Sequence, residues 1–176
     1  LRRSLFGEVD ARTADVNVVR ASVLEALGQY AQAESASTSA VRAYERAQPF
    51  DGNALASALD VQARVIENEG RTAEAERIKR ALLALRRQGT DSASRAGLTF
   101  ALTNLATTLL YRGEYDEAER LQKEAVDVEA AIHGRDKPNY ADVLRGLAGV
   151  YEEQGRFREA DSLMRAVVPV LATALG

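Results

Sequence analysis

Gly113-Glu114-Tyr115-Asp116-Glu117-Ala118-Glu119 decides how this chain folds, because the same phrase is written four times. It returns as Gly28-Gln29-Tyr30-Ala31-Gln32-Ala33-Glu34, as Gly70-Arg71-Thr72-Ala73-Glu74-Ala75-Glu76, and as Gly155-Arg156-Phe157-Arg158-Glu159-Ala160-Asp161. The four glycines are spaced 42, 43 and 42 residues apart. A period of this size marks a solenoid, in which each unit buries its apolar face only against its neighbours. Function then belongs on an extended surface, not in a single catalytic cleft.

Working outward from each glycine, apolar residues recur at helical spacing on both sides. Leu102, Leu105, Ala106 and Leu109 precede Gly113, and Leu144, Leu147, Ala148 and Tyr151 precede Gly155. After the glycines come Tyr115, Ala118, Leu121, Ala125 and Val128, then Phe157, Ala160, Leu163, Val167 and Leu171. Each stripe is one face of an amphipathic helix. The glycine suits the position just past a helix end, where a left-handed backbone turns the chain. Ala33, Ala75, Ala118 and Ala160 follow the glycines, and Ala21, Ala63, Ala106 and Ala148 precede them. Small residues at both places predict close approach of the paired helices, which a leucine would overpack. The aromatics Tyr30, Tyr115 and Phe157 are expected to cover that joint from the loop side.

Helix starts are legible too. Asp51, Asp91 and Asp136 are expected N-caps of first helices, with Pro138 in a first turn. Residues 88–92 read as a longer polar connector, and Pro169 is expected to kink or end the last helix near Val168. The fold class is therefore all-α, an α-solenoid of antiparallel helix pairs. Repeats are placed at 10–48, 51–89, 91–134 and 136–176. Gly7 lies 21 residues before Gly28, as Gly134 does before Gly155. Residues 1–9 thus read as the tail of a preceding repeat and its connector, and the chain as a window from a longer array.

Composition narrows the function classes. Charged residues make up 28% and hydrophobic residues 46%, as in a folded globular chain. The net charge of −3 gives no electrostatic basis for nucleic-acid or anionic-membrane binding. With no cysteine there is no thiol catalysis, disulfide framework or Cys-type zinc site. No apolar run reaches the length of a membrane span, and the expected compartment is cytoplasmic. His133 is the single histidine and is expected to meet carbonyls at a helix end. Paired acids such as Glu152-Glu153 diverge on a helix, and no Gly-x-x-x-x-Gly-Lys-Ser/Thr loop is present. The reading is therefore of no enzyme, no cofactor and no metal.

Leu105-Ala106, Leu109, Gly113, Tyr115, Ala118 and Ala125 resemble the tetratricopeptide repeat pattern, as do Leu147-Ala148, Tyr151, Gly155, Phe157 and Ala160. The 42-residue period and the phrase His133-Gly134-Arg135-Asp136-Lys137-Pro138-Asn139-Tyr140-Ala141 resemble the longer kinesin-light-chain type. The resemblance implies a right-handed superhelix whose first helices line a concave groove. It places there Val18, Ser22 and Glu25; Asp60, Arg64 and Glu67; Thr103, Asn104, Thr107 and Tyr111; and Arg145, Gly149 and Glu152. Asn104 matches the groove asparagine of such repeats, whose amide can pair with a peptide backbone in both directions. A lysine-asparagine carboxylate clamp is absent, since Val18, Ser22 and Val61 stand in its place.

The resemblance implies a noncatalytic scaffold binding a protein or peptide segment. Two other roles stand beside it. One is a ligand- or peptide-sensing module of a multidomain bacterial signalling protein, such as a kinase or nucleotide-binding ATPase. The other is self-assembly. Leu163, Val167, Val168, Val170, Leu171 and Leu175 predict self-association through the C-terminal helix.

Overall fold

A computed structural model describes the backbone of residues 2–175 and the side chains of residues 12–172. It contains eight helices, and no strand occurs among the described residues. The helices are α1 (Arg2–Ala26), α2 (Tyr30–Arg46), α3 (Gly52–Asn68), α4 (Thr72–Gln88), α5 (Ser92–Tyr111), α6 (Tyr115–Ile132), α7 (Pro138–Glu153) and α8 (Phe157–Leu175). The chain divides into two compact units, Leu1–Gly89 and Thr90–Gly176. In the first, α1 packs on α2, α2 on α3 and α3 on α4, with α1 also touching α3. The second repeats this plan, with α5 in the place of α1 and α7 in that of α3.

The four glycines turn the chain as their sequence context predicts. Gly28, Gly70, Gly113 and Gly155 have φ of 71°, 80°, 77° and 73°, a region costly for residues with a Cβ. Two backbone bonds close each turn. At Gly70 its own N–H donates to Glu67 O at 2.9 Å, and the Arg71 N–H donates to Ile66 O at 3.2 Å. This doubly bonded helix end recurs at Gly28, Gly113 and Gly155 with bonds of 2.8–3.0 Å. The alanine columns are buried throughout. Ala21 clusters with Ala33, and Ala148 with Ala160, so α1 meets α2 and α7 meets α8 where both side chains are smallest.

Several local expectations need correction. Asp51 caps α3, accepting from Asn53 N at 2.9 Å and Ala54 N at 3.0 Å, and Asp91 caps α5 through Ser94 N at 2.9 Å. Asp136 does not cap α7. Pro138 forces its predecessor into extended backbone, so Lys137, at φ −99° and ψ 148°, takes the cap position. The connector between α4 and α5 is only residues 89–91, and the longer ones are 47–51 and 133–137. The backbone of α1 runs without interruption through Gly7, where a helix end was expected.

Pro169 does not end α8, which continues to Leu175. Proline inside a helix costs about 3 kcal/mol. Here Val167 is buried before it, and Val170 and Leu171 pack after it, against Ala141 and Leu144 of α7. Each such side chain contributes roughly 1.5–3 kcal/mol when fully buried, which is enough to hold the helix across the break.

Candidate functional site

The first helices carry the expected site, and each unit presents its part differently. In the first unit it is a charged cluster. Arg64 on α3 reaches Glu25 on α1 with two bonds, Nη2 to Oε2 at 2.8 Å and Nε to Oε1 at 3.3 Å. Asp60, one turn earlier on α3, lies 3.5 Å from Arg64 Nη1. The Asn68 amide donates to Glu25 Oε1 at 3.1 Å. Glu67 accepts from Lys79 Nζ on α4, with both carboxylate oxygens at 2.8 Å. Glu25, Asp60, Arg64 and Glu67 are thus brought together. Ser22 is half-buried beside them, and Val18 packs against the hydrophobic core, so it contributes less to the surface.

Charge in this cluster is not free of cost. Burial pushes the Asp60 carboxyl upward from its ordinary range and Glu25 adds to this, outweighing the pull of Arg64, Lys79 and Arg86. Arg64 is held more firmly protonated by its bond to Glu25. A carboxyl whose pKa is higher folded than unfolded opposes folding once ionised, and the penalty fades as pH falls through the carboxylate range. Asp60→Asn is therefore expected to stabilise the chain at pH 7 by on the order of a few tenths of a kcal/mol, and so to raise its melting temperature. Its advantage should shrink toward about pH 4. Thermal melts at the two pH values check this, and a lower melting temperature at pH 7 would contradict it.

In the second unit the surface is aromatic and hydroxylic. Thr103, Asn104, Thr107 and Tyr111 share one side of α5 with Phe100. Tyr111 is 86% exposed and Phe100 53%. The Thr103 and Thr107 hydroxyls donate back to the carbonyls of Thr99 and Thr103 at 3.0 and 2.9 Å, so their donor hydrogens are used within the helix. Asn104 is half-buried and lends its carbonyl to the Thr108 hydroxyl at 3.1 Å. On α7, which contacts α5, Arg145 is exposed and pairs with Asp142 at 2.6 Å, and Glu152 is exposed. Gly149 has open space where a side chain would be.

Register explains which positions stay open. The place nine residues before each glycine holds Val61 and Gly146, and both are turned toward the preceding helix. Val61 is buried, and a Cβ on Gly146 would meet Gln122 Nε2 at 1.7 Å. Asn104 stands at the same place and is half-buried.

Sequence reading missed the strongest ionic feature. Arg71 binds Glu34, Glu69 and Glu74 at 2.8, 2.7 and 2.8 Å. Arg156 binds Glu119 at 2.7 Å and Glu159 at 2.5 Å, and its guanidinium lies 4.0 Å from the Tyr151 ring centroid. Burial alone would raise Glu119, yet bonds from Lys123, Gln154 and Arg156 hold its carboxyl below the ordinary range. The available signal was an arginine directly after the glycine and an acid six places after the previous one. His133 Nδ1 lies 2.6 Å from Glu129 Oε1, so it meets a carboxylate and not helix carbonyls. Phe157 is exposed, unlike the half-buried Tyr30 and Tyr115. A shallow hollow of about 320 Å³ is lined by Gly113 to Glu117 and includes none of the expected site residues. Among the described residues no His, Asp or Glu group could hold a metal ion, and no helix is long and apolar enough to cross a membrane.

Residues 98–172, spanning α5 to α8, match the family model described as Tetratricopeptide repeat. Among solved structures, the chain is similar to a kinesin-light-chain-like protein of Podosopora anserina built of nearly identical TPR-like repeats. That match has TM-score 0.78 and 19% identity over 92% of this chain and 76% of that one. It is also similar to BtubC (BKLC) from P. vanneervenii, with TM-score 0.68 and 16% identity over 99% of this chain and 87% of that one. The apo form of RapI matches at TM-score 0.78 and 13% identity, over 93% of this chain and 57% of RapI. No curated protein matches the chain. Fold and repeat together define a tetratricopeptide-like helical-repeat protein, a class that is generally an interaction scaffold. In fold it is similar to kinesin-light-chain-like repeat arrays.

Proposed function

We propose that this chain is a noncatalytic scaffold that holds an extended peptide or a helix of a protein partner against the exposed faces of its first helices. The observation that carries this reading is the α5 stripe, where Phe100 and Tyr111 stand largely in solvent with Thr103 and Thr107 between them. Large aromatic anchors beside polar groups are the features that concentrate binding energy in a few residues. Gly149 leaves room beside α7 for a ligand side chain, and Arg145 and Glu152 supply charges that can pair with it. The Glu25–Arg64–Asp60 cluster gives the first unit an ionic surface of fixed geometry.

The test is a fluorescence-anisotropy screen of a random peptide library, followed by variants against the best binder. Tyr111→Ala, Asn104→Ala, Arg145→Ala and Arg64→Ala are expected to weaken binding several-fold, by about 1 kcal/mol for an anchor, with unchanged circular dichroism. Loss confined to Arg120→Ala or Arg158→Ala on the second helices would move the site away from the first helices.

A second reading, self-association through α8, has its own support, but on different residues from those expected. Leu163, Val167, Val170 and Leu171 pack against α7, and the side chain of Leu175 lies outside the described residues. Among the described residues of α8, Phe157, Met164 and Val168 are the large apolar side chains that face solvent.

A further inference from the structure

The exposed apolar residues of α1 and α8 are not scattered. Val16, Val19 and Val23 are 65%, 64% and 54% exposed and form one stripe on α1, opposite the face that packs on α2 and α3. They stand twelve, nine and five places before Gly28. The same places hold Ala58, Val61 and Val65 on α3, and Val143, Gly146 and Val150 on α7. There they are covered. Ala58 clusters with Val41 of α2, and Gly146 receives Gln122 of α6.

The other half of that junction recurs as well. Nine and thirteen places after the glycine stand Ser37 and Val41 on α2, and Gln122 and Val126 on α6. Ser37, Val41 and Gln122 are buried, and Val126 packs into the α7 clusters. On α8 the same places hold Met164 and Val168, 38% and 65% exposed. So α1 offers the incoming face of a junction that this chain forms internally at α2·α3 and α6·α7, and α8 offers the receiving face.

We propose that α1 of one copy docks on α8 of a second copy, head to tail, in the register of those internal junctions. The inference rests on the self-association reading and names its mate. Val16, Val19 and Val23 would lie over Met164 and Val168, as Ala58, Val61 and Val65 lie over α2. Such a contact joins two different patches, so it propagates into chains or closes into rings, and does not stop at a symmetric dimer.

The polar seal of the junction gives a sharper expectation. Within each unit an acid six places after one glycine pairs with the arginine just after the next, as Glu34–Arg71 and Glu119–Arg156. Between copies the acid is Asp161, but the residue opposite is Gln29, at the place of Arg71 and Arg156. The seal there is a hydrogen bond from an amide where the internal seals are ion pairs, and the contact is correspondingly weaker than an internal junction.

Sedimentation of the 176-residue chain from micromolar to millimolar concentration tests this, with Val19→Glu, Val168→Glu and Gln29→Arg as variants. Val19 and Val168 are solvent-exposed, so both glutamates are compatible with the fold, and circular dichroism melts check it. The wild type is expected to grow beyond the dimer with concentration. Each glutamate variant alone should stay monomeric, and an equimolar mixture of the two should form dimers and nothing larger. Gln29→Arg should raise the association constant by about two- to fivefold, the worth of an exposed ion pair. Self-association of Val19→Glu alone would keep α8 as an interface but overturn the head-to-tail mode. A wild type that is strictly monomeric at millimolar concentration would overturn both.

Discussion

Ala160→Leu is expected to destabilise the chain by about 1–3 kcal/mol, the usual cost of forcing extra methylenes into a packed contact. Ala160 is 2% exposed and clusters with Ala148, Leu147 and Tyr151, at the point where α7 and α8 cross. A leucine has nowhere to go there without spreading the two helices. Each kcal/mol corresponds to a fall of about 2–4 °C in melting temperature for a chain of this length. The same substitution at Arg158, exposed on the same helix, should leave the melting temperature within the range of ordinary surface changes, about 0.5 kcal/mol. Equal melting temperatures for Ala160→Leu and Arg158→Leu would refute the helix crossing described here.

Two glycines one turn apart on α7 should respond to alanine with opposite signs. Gly149→Ala adds a methyl to open space and removes a helix-interior glycine, which stabilises by up to about 1 kcal/mol. Gly146→Ala gains the same propensity, but its Cβ would lie 1.7 Å from Gln122 Nε2 and 3.0 Å from Gln122 Cδ. Gln122 is 2% exposed, so its amide cannot swing into solvent. The overlap costs about 1–3 kcal/mol and exceeds the propensity gain. The buried Gln122 Oε1 already lacks a hydrogen-bond partner. Combining Gly146→Ala with Gln122→Ala should therefore recover most of the loss. Thermal or urea denaturation of the three variants measures this directly. A stabilising Gly146→Ala single variant would show that α6 and α7 meet less tightly than described.

The parts of this fold that could be read in advance share a physical origin. A left-handed turn demands glycine at one position, and a close crossing demands alanine a few residues away. Both leave a mark on a short stretch, and four copies in register multiply it. Asp136 shows how a local rule loses to a neighbour, because Pro138 fixes the cap one residue later. Pro169 shows a local rule losing to packing, since side chains on both sides of it are anchored to α7. Glu34 and Arg71, like Glu119 and Arg156, are 37 residues apart. A pairing at that distance becomes readable only after the repeat register has been converted into helix contacts.

For the candidate site the position along a first helix was legible, and the degree of exposure was not. Val18 and Asn104 sit where the pattern places them, yet Val18 belongs partly to the core and Asn104 is half-covered. Phe100, the aromatic that completes the α5 stripe, lies one turn ahead of the expected positions.

The Arg71 and Arg156 networks bear on what counts as the repeating module of this chain. Glu34, Glu69, Arg71 and Glu74 recur as Glu119, Gln154, Arg156 and Glu159, each 85 residues further on. The residue after the glycine alternates along the chain as Gln29, Arg71, Glu114 and Arg156. At the remaining internal place the acid is Glu76 and the residue after the next glycine is Glu114, so the acid-arginine pair occurs once within each unit. The ionic module of this chain is therefore a pair of repeats, twice the length of the unit that the glycines mark.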